Sequence, residues 1–293
     1  MTRRAFLLTP AAAYAAPRPA VRLSFSTYAT PGLEPDRALD LIREAGYDGA
    51  ELCLMPGWPT HPDKLDAAAR QRIQRHPLAI PTLIENFNLL VSDADHARTL
   101  DRIRAAAALA HEIAPKRPPL LQTVLGGKPG EWDDVKDRMA ARLTDWARAA
   151  HDSRLSLAIK AHIGSACDTP EKLLWLLETV RHTSLSAIYD YSHFQLAGLG
   201  LEESLEALLP HCSFLTVKDG RMADDKPRFL LPGDGTIDYK RYFEILKARR
   251  YRGWMLVEVS RQLQTQPGYD PEAAARQSIA HLAPLLKNAG LRG

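Results

Sequence analysis

Charged and imidazole side chains stand at the ends of three apolar runs in the second half of the chain. The run "LSLAIKAH" carries Lys160 and His162, "LSAIYDYSH" carries Asp190 and His193, and "GWMLVEV" carries Glu258. A carboxylate can accept a proton or bind a cation, whereas an ammonium group can donate hydrogen bonds to an oxygen that gains negative charge. Because such groups are costly to bury alone, their position beside apolar runs indicates a shared site.

The surrounding sequence predicts the elements that would bring these residues together. Eight short aliphatic runs, from "VRLSFSTY" to "GWMLVEV", alternate with longer segments whose apolar residues recur at helical spacing. Thr169 followed by Pro170 predicts the start of one helix, and Gly46 predicts the end of another. The eight strand and helix units predict an α/β protein with a single-domain (β/α)8 TIM barrel over residues 20–293.

In such a barrel the carboxyl ends of all eight strands meet at one face, where catalytic groups gather. Beyond the first five residues, this face is predicted to carry further polar side chains, namely Glu51, Glu85, Gln122, Thr216, Lys218 and Asp219. No G-x-G-x-x-G segment follows the first strand, which disfavours a dinucleotide-binding sheet.

Composition excludes several classes of protein. The chain has 293 residues, of which 45% are hydrophobic and 25% charged, and its net charge of +3 is spread without long blocks of one sign. It therefore lacks the electrostatic footprint of a nucleic-acid-binding protein. Its three cysteines are widely spaced and match neither a disulfide framework nor a zinc-ligand pattern.

The first residues predict a targeting segment. "MTRRAFLLTPAAAYAAPRPA" joins the pair Arg3 and Arg4 to a short apolar stretch and an A-x-A pattern at residues 13–15. This layout predicts a twin-arginine-type signal peptide over residues 1–19 and a periplasmic or otherwise exported protein. A cytoplasmic protein with an N-terminal extension is the alternative. No later run is long enough and apolar enough to cross a bilayer, so we expect no membrane association after signal removal.

Four segments resemble the xylose isomerase-like TIM barrels, the superfamily of sugar phosphate isomerases and epimerases that also contains inosose and dehydroshikimate dehydratases. They are "ALDLIREAGYDGAEL", "YDYSH", "VKDG" and "PGDGTIDYKRYFEILKARRYRGWMLVE", and the resemblance runs from about residue 21 to the end. It implies a small carbohydrate or polyol derivative as the substrate. It also implies a possible homo-oligomer, since relatives commonly pair through their barrel rims.

The resemblance also implies a divalent metal, held in typical members by Glu, Asp, His and Glu at the ends of strands five to eight. Asp190 and Glu258 match the sixth and eighth positions, but Lys160 and Thr216 replace the other two ligands. We therefore expect either no metal or a weakly bound Mn²⁺-like ion. We predict that Lys160 takes the metal's place, because two opposite unit charges about 4 Å apart attract by roughly 4 kcal/mol at an effective dielectric of about 20.

The roles predicted for the site residues follow from the charges at the strand ends and from the family resemblance. Lys160, kept charged by adjacent carboxylates, is predicted to donate to a developing oxyanion. By resemblance, Glu258 is the predicted base and His162 the predicted proton-transfer group, with a solvated loop histidine as the alternative for His162. The predicted substrate contacts come from four residues, which are His193, Asp190, Lys218 and Arg221, although an arginine in the loop after strand seven is usually only solvated.

The leading functional hypothesis is a sugar isomerase or epimerase-like enzyme that abstracts a proton next to a carbonyl. The alternatives are a lyase or dehydratase that uses the same intermediate, and a catalytically inactive sugar-binding barrel. A DNA repair enzyme of the endonuclease IV type is disfavoured, because the strand ends supply too few His, Asp and Glu ligands for its metal cluster.

Overall fold

The computed structural model describes residues 19–292, so the predicted signal segment lies outside the described part of the chain except for its last residue. The strands are β1 Val21–Ser26, β2 Gly49–Cys53, β3 Ala79–Ile84, β4 Leu120–Thr123, β5 Leu157–Lys160, β6 Leu185–Asp190, β7 Cys212–Val217, β8 Asp219–Ala223, β9 Lys226–Leu230 and β10 Gly253–Val257. The helices are α1 Pro35–Ala45, α2 Ala67–Arg75, α3 Asp93–Ile113, α4 Trp132–Asp152, α5 Pro170–Val180, α6 Tyr191–Leu196, α7 Leu201–Leu208, α8 Tyr239–Ala248, α9 Arg261–Gln264 and α10 Pro271–Asn288.

Eight strands close into one parallel barrel. The order around it is β1, β2, β3, β4, β5, β6, β7 and β10, and β10 pairs back onto β1. Each predicted run contains one of these strands, so the predicted (β/α)8 TIM barrel is confirmed. Within residues 19–292, no helix combines the length and the apolar composition needed to span a membrane.

Two helix boundaries illustrate how the local sequence directs the fold. The Thr169 hydroxyl accepts a hydrogen bond from the Lys172 backbone N–H, and Pro170 occupies the first position of α5. Gly46 ends α1 with a φ of 98°, a left-handed conformation that glycine adopts without steric cost. Both predicted boundaries are therefore confirmed.

The barrel interior is layered because side chains along a strand alternate between its two faces. Ala158, Ile188, Phe214 and Leu256 form a buried apolar layer, each from a different strand. Two residues further along the same strands are Lys160, Asp190, Thr216 and Glu258. Strand periodicity thus places these four side chains in the next layer, at the carboxyl end of the barrel.

The region after strand seven, where the sequence predicts a loop, contains a further element. Strands β8 and β9 form an antiparallel hairpin there. Its turn residues Asp224 and Asp225 have φ angles of 51° and 55°, the left-handed pair that a two-residue hairpin turn requires. The Asp-Asp pair between two short runs is the signal that predicts this hairpin.

The three cysteines Cys53, Cys167 and Cys212 are free thiols, and the first two are buried. Cys53 and Cys167 serve as small core residues.

Gly49 gives a test of the barrel packing. A Cβ atom at this position would lie 2.8 Å from the Ala79 carbonyl oxygen and 2.8 Å from two ring atoms of Trp254. We expect Gly49→Ala to lower the free energy of unfolding by about 1–3 kcal/mol, as overpacking of a core does. Gly32→Ala is the matched control, because nothing lies within 4 Å of the added atom. Urea unfolding of both variants checks the prediction, and equal stabilities would contradict it.

Candidate active site

Lys160 lies between two carboxylates at the carboxyl end of the barrel. Its Nζ atom is 2.8 Å from Glu258 Oε2 and 3.3 Å from Asp190 Oδ2. The three side chains come from β5, β6 and the residue after β10, which strand alternation directs into one interior layer. The structure therefore places the Lys160 nitrogen where the sequence predicted it, facing both acids.

Lys218 supplies a second ammonium group to the same acids. Its Nζ atom donates to Asp190 Oδ2 and lies 2.8 Å from Glu258 Oε1. We call Lys160, Lys218, Asp190 and Glu258 the lysine–carboxylate cluster. Sequence reasoning predicted Lys218 as a substrate contact and missed its ionic role. The available signal was its position two residues after Thr216, which places both residues on the same face of the strand.

The cluster is almost closed to solvent, and its formal charges cancel. Lys160, Lys218, Asp190 and Glu258 are 4%, 2%, 1% and 8% exposed. Two ammonium groups face two carboxylates, so no net charge is buried. Of the two acids, Glu258 is the one whose side chain reaches the mouth, since 10% of it is exposed against none of the Asp190 side chain.

The contacts fix the protonation states of these groups. Burial opposes ionisation of Glu258, but Lys160 and Lys218 lower its pKa to about 2. Burial also opposes the charge on Asp190, whose pKa is nevertheless held well below its usual range by Lys218, His193 and Lys160. Burial disfavours the Lys160 ammonium, yet Glu258 and Asp190 raise its pKa above the ordinary value. Lys160 is therefore a charged donor at neutral pH and not a nucleophile.

The residues at this position do not fit a divalent cation. The two matching ligands, Asp190 and Glu258, already hold two ammonium groups, and the other two positions are Lys160 and Thr216. Within residues 19–292, no three His, Cys, Asp or Glu side chains converge as a metal site would require. A cation brought between these carboxylates would also be repelled by both lysines.

Two histidines line the cluster in their neutral form. The rings of His162 and His193 have centroids 4.1 Å apart, and His193 Nε2 lies 3.4 Å from Asp190 Oδ2. Burial, the neighbouring His193 and the Lys160 ammonium lower the pKa of His162 to about 2. Burial and Lys218 lower the pKa of His193 to about 4, although Asp190 opposes this. His162 Nδ1 accepts from the Gly164 N–H at 3.0 Å, so its Nε2 carries the proton.

The aromatic side chains in this part of the barrel include one beside the cluster and a stacked pair. Phe229 of β9 lies with its ring centroid 4.9 Å from the His193 ring, and Lys218 Nζ is 5.2 Å from the same ring. Tyr28 and Trp58 stack with centroids 5.2 Å apart. Burial and the charge of Glu258 raise the pKa of Tyr28 to about 12. Such surfaces suit the apolar face of a sugar or cyclitol ring.

The other residues predicted at this face differ in exposure and in their contacts. Arg221 is exposed on β8 opposite Arg228 and is not among the side chains that form the cluster. His193 and Asp190, which were predicted to contact substrate, are both 1% exposed, and His193 Nε2 faces the Asp190 carboxylate of the cluster. Glu51 is fully buried inside the barrel, where it accepts hydrogen bonds from Ser26 and Gln122. Burial raises its pKa to about 7.

The chain matches a known protein family over most of its length. The sequence profile described as the xylose isomerase-like TIM barrel matches residues 39–285. The chain belongs to this family. The resemblance identified from the sequence is therefore confirmed.

Proteins with similar sequences include several that are named inosose dehydratase. The enzyme of Geobacillus thermodenitrificans is 29% identical over 167 residues, which cover 51% of this chain and 54% of that protein. The enzyme of Yersinia enterocolitica is 24% identical over 226 residues, which cover 67% of this chain and 75% of that protein. The chain thus spans little more than half the length of the first of these relatives.

Solved structures share the fold at low identity. The IOLI protein with a bound zinc atom superposes with a TM-score of 0.76 at 16% identity, covering 92% of this chain and 99% of that one. An L-ribulose 3-epimerase superposes with a TM-score of 0.73 at 17% identity, covering 92% and 95%. A family member from Mycobacterium smegmatis in complex with magnesium gives 0.66 at 14% identity, covering 92% and 97%.

The cluster predicts how stability responds to acid. Glu258 and Asp190 have pKa values below those of an unfolded chain, so unfolding takes up protons in acid. Their contribution is complete above about pH 5 and is lost as the pH falls toward about 2. Urea unfolding at a series of pH values measures this slope. In Lys218→Met the loss should be smaller and should end at a higher pH, because the folded-state pKa of Glu258 is lowered less with one cation fewer. An unchanged profile would contradict the assignment.

Removal of one lysine should also lower stability at neutral pH. Lys218→Met leaves two buried carboxylates with one ammonium, and breaking a buried pair in this way costs about 3–5 kcal/mol. Lys136→Met is the matched control, because its partner Asp133 is 86% exposed. We expect that control to change the free energy of unfolding by less than about 1 kcal/mol. Comparable losses in the two variants would show that the cluster is not a buried network.

Proposed function

We propose that this protein is a dehydratase-type lyase that acts on a keto-polyol or a related carbohydrate and works without a divalent metal. The observation that carries the proposal is the pair of ammonium groups, Lys160 and Lys218, hydrogen-bonded to the same two acids at the barrel mouth. Relatives named inosose dehydratase support this class of reaction over the isomerase predicted first.

The ammonium pair supplies what the reaction needs at a carbonyl oxygen. Each lysine has three N–H donors, of which two point to Asp190 and Glu258. The third donor of each remains for a substrate oxygen. Together the two lysines carry the same formal charge as a divalent ion. A carbonyl held between them becomes a better electron acceptor, and the enolate that forms on loss of the neighbouring proton is stabilised.

Glu258 is the proposed base, because it is the acid of the cluster whose side chain reaches the mouth. A carboxylate with a pKa near 2 is a weak base. The proposal therefore requires the two lysines to acidify the carbon that loses the proton. Glu258 then returns this proton to a hydroxyl on the adjacent carbon, which leaves as water while a conjugated double bond forms. The neutral His162 transfers no proton and donates only a hydrogen bond from Nε2 to the departing hydroxyl, as its tautomer allows.

A second candidate function is a sugar-binding barrel without catalysis. The observation in its favour is that both oxygens of Glu258 are bound by ammonium groups and its pKa is about 2. Such a carboxylate is fixed in position and is a poor proton acceptor.

An epimerase using the same enolate would return the proton to carbon instead of oxygen, as the fold shared with L-ribulose 3-epimerase suggests. Export to the periplasm and self-association stay predictions from the sequence.

Turnover of keto-polyols tests the proposed function. Purified protein and a panel of inososes and open-chain keto-polyols should give the ultraviolet absorbance of a conjugated enone, and EDTA should not reduce the rate. Glu258→Gln and Lys160→Met should lose about 100-fold or more, whereas Lys136→Met should keep its activity.

Three other outcomes would change the assignment. Ligand-dependent thermal shifts without turnover or solvent deuterium uptake would favour the binding barrel. Deuterium uptake at carbon without loss of water would favour an epimerase. Loss of activity in EDTA that added Mn²⁺ restores would overturn the metal-free site.

A further inference from the structure

A cavity lies at the amino-terminal end of the barrel, opposite the lysine–carboxylate cluster. It has a volume of about 610 Å³ and is formed by α2, residues 113–118 and the first residues of several barrel strands. Pockets of about 300–1,000 Å³ are the usual size for small-molecule sites. The proposed function makes no use of this cavity, because the lysine–carboxylate cluster stands at the other end of the same strands.

Apolar side chains form the larger part of the lining of this cavity. Leu120 and Trp254 face it and pack against the apolar layer of Ala158, Ile188, Phe214 and Leu256. Its walls come from Ile73, Leu78 and Ile80 and from Pro115 and Pro118. Since four apolar side chains of the barrel core separate it from the carboxyl end, the cavity is a pocket of its own and does not continue into the mouth.

Trp254 gives the cavity a fixed aromatic wall. Its ring passes so close to Gly49 that a Cβ atom there would lie 2.8 Å from two ring atoms. The guanidinium carbon of Arg22 lies 3.9 Å from the ring centroid. The Tyr251 hydroxyl donates to the Trp254 carbonyl at 2.8 Å. These contacts hold the indole in place before any ligand arrives, which reduces the entropy lost on binding.

The charges around the cavity are all of one sign. Arg22, Lys116 and Arg117 contribute side chains to its lining, and none of the lining residues, all within the described range, is acidic. Lys116 and Arg117 lie on the surface between Pro115 and Pro118, whose rings restrict the backbone of this short connection. An apolar pocket rimmed by cations fits a ligand that has an apolar body and one negative charge.

We propose that this cavity binds a small monocarboxylate with an aromatic or short aliphatic body. The body lies against Trp254, Leu120 and Ile80, and the carboxylate faces Lys116 and Arg117. This site is separate from the proposed catalytic site and does not depend on the reaction assigned to it.

Calorimetric titration with 4-phenylbutyrate tests the proposal, with 4-phenylbutanamide as the neutral ligand of the same shape. We expect saturable binding of one carboxylate per chain and affinity for the amide at least about tenfold weaker. Lys116→Glu combined with Arg117→Glu should weaken carboxylate binding by about tenfold or more, because both side chains are exposed and their reversal leaves the core intact. Ala79→Phe, which fills the cavity from an exposed strand residue, should abolish it.

A Lys160→Met variant shows at which end of the barrel 4-phenylbutyrate binds. Its affinity for this ligand should equal that of the unchanged protein. Loss of binding in this variant, once thermal unfolding has shown that it is folded, would place the ligand at the mouth and overturn the proposal. Equal affinity for the amide, or absence of saturation up to about 10 mM carboxylate, would overturn it as well. Thermal unfolding of the charge-reversal and Ala79→Phe variants shows whether they are folded. If both are folded and still bind normally, the cavity is not the site.

Discussion

Two ammonium groups and two carboxylates share the closed carboxyl end of the barrel, and each can stay ionised there only because the others do. Opposite charges about 4 Å apart attract by roughly 4 kcal/mol at an effective dielectric of about 20, while each isolated ion would lose far more on leaving water. Lys160, Lys218, Asp190 and Glu258 therefore behave as one unit. A change at any one of them leaves an uncompensated charge for the other three.

This constraint determines which chemistry is open to the site. The acids hold Lys160 in its charged form, so a Schiff base with this lysine is disfavoured and electrophilic donation is favoured. The two lysines in turn help to keep His162 and His193 neutral. Neutral imidazoles can orient hydroxyl groups without adding charge. The site thus presents fixed positive donors and neutral hydrogen-bonding groups, an arrangement suited to an oxygen that becomes negative during a reaction.

The barrel separates this polar end from a different environment below it. The layer of Ala158, Ile188, Phe214 and Leu256 lies directly under the cluster, and the cavity beside Trp254 lies beyond that layer. Close packing makes such a layer rigid, so the cluster rests on a fixed floor. The hairpin of β8 and β9 adds Phe229 above it. The charged groups are therefore held from both sides before any ligand binds.

Several features could be predicted from the sequence because they depend on local periodicity. Alternating runs gave the eight strands of the barrel, and the two-residue period placed Lys160, Asp190 and Glu258 on interior faces at the same end of the barrel. Capping residues such as Thr169 and Gly46 gave helix boundaries, since a cap is a short-range hydrogen bond or a local φ preference. The family resemblance rested on segments of the same kind.

Other features were decided only by the tertiary structure, because they depend on how far side chains from distant strands reach. Lys218 stands one residue beyond its strand, and its long side chain turns back to acids that are 28 and 40 residues away in sequence. Phe229 reaches the histidines only because a hairpin folds over the barrel mouth. The sequence by itself determined the barrel and the polar layer at its end. Packing between separate elements decided that this layer is a closed, neutral network of two lysines and two acids, because charge balance in a buried site depends on every neighbour in space.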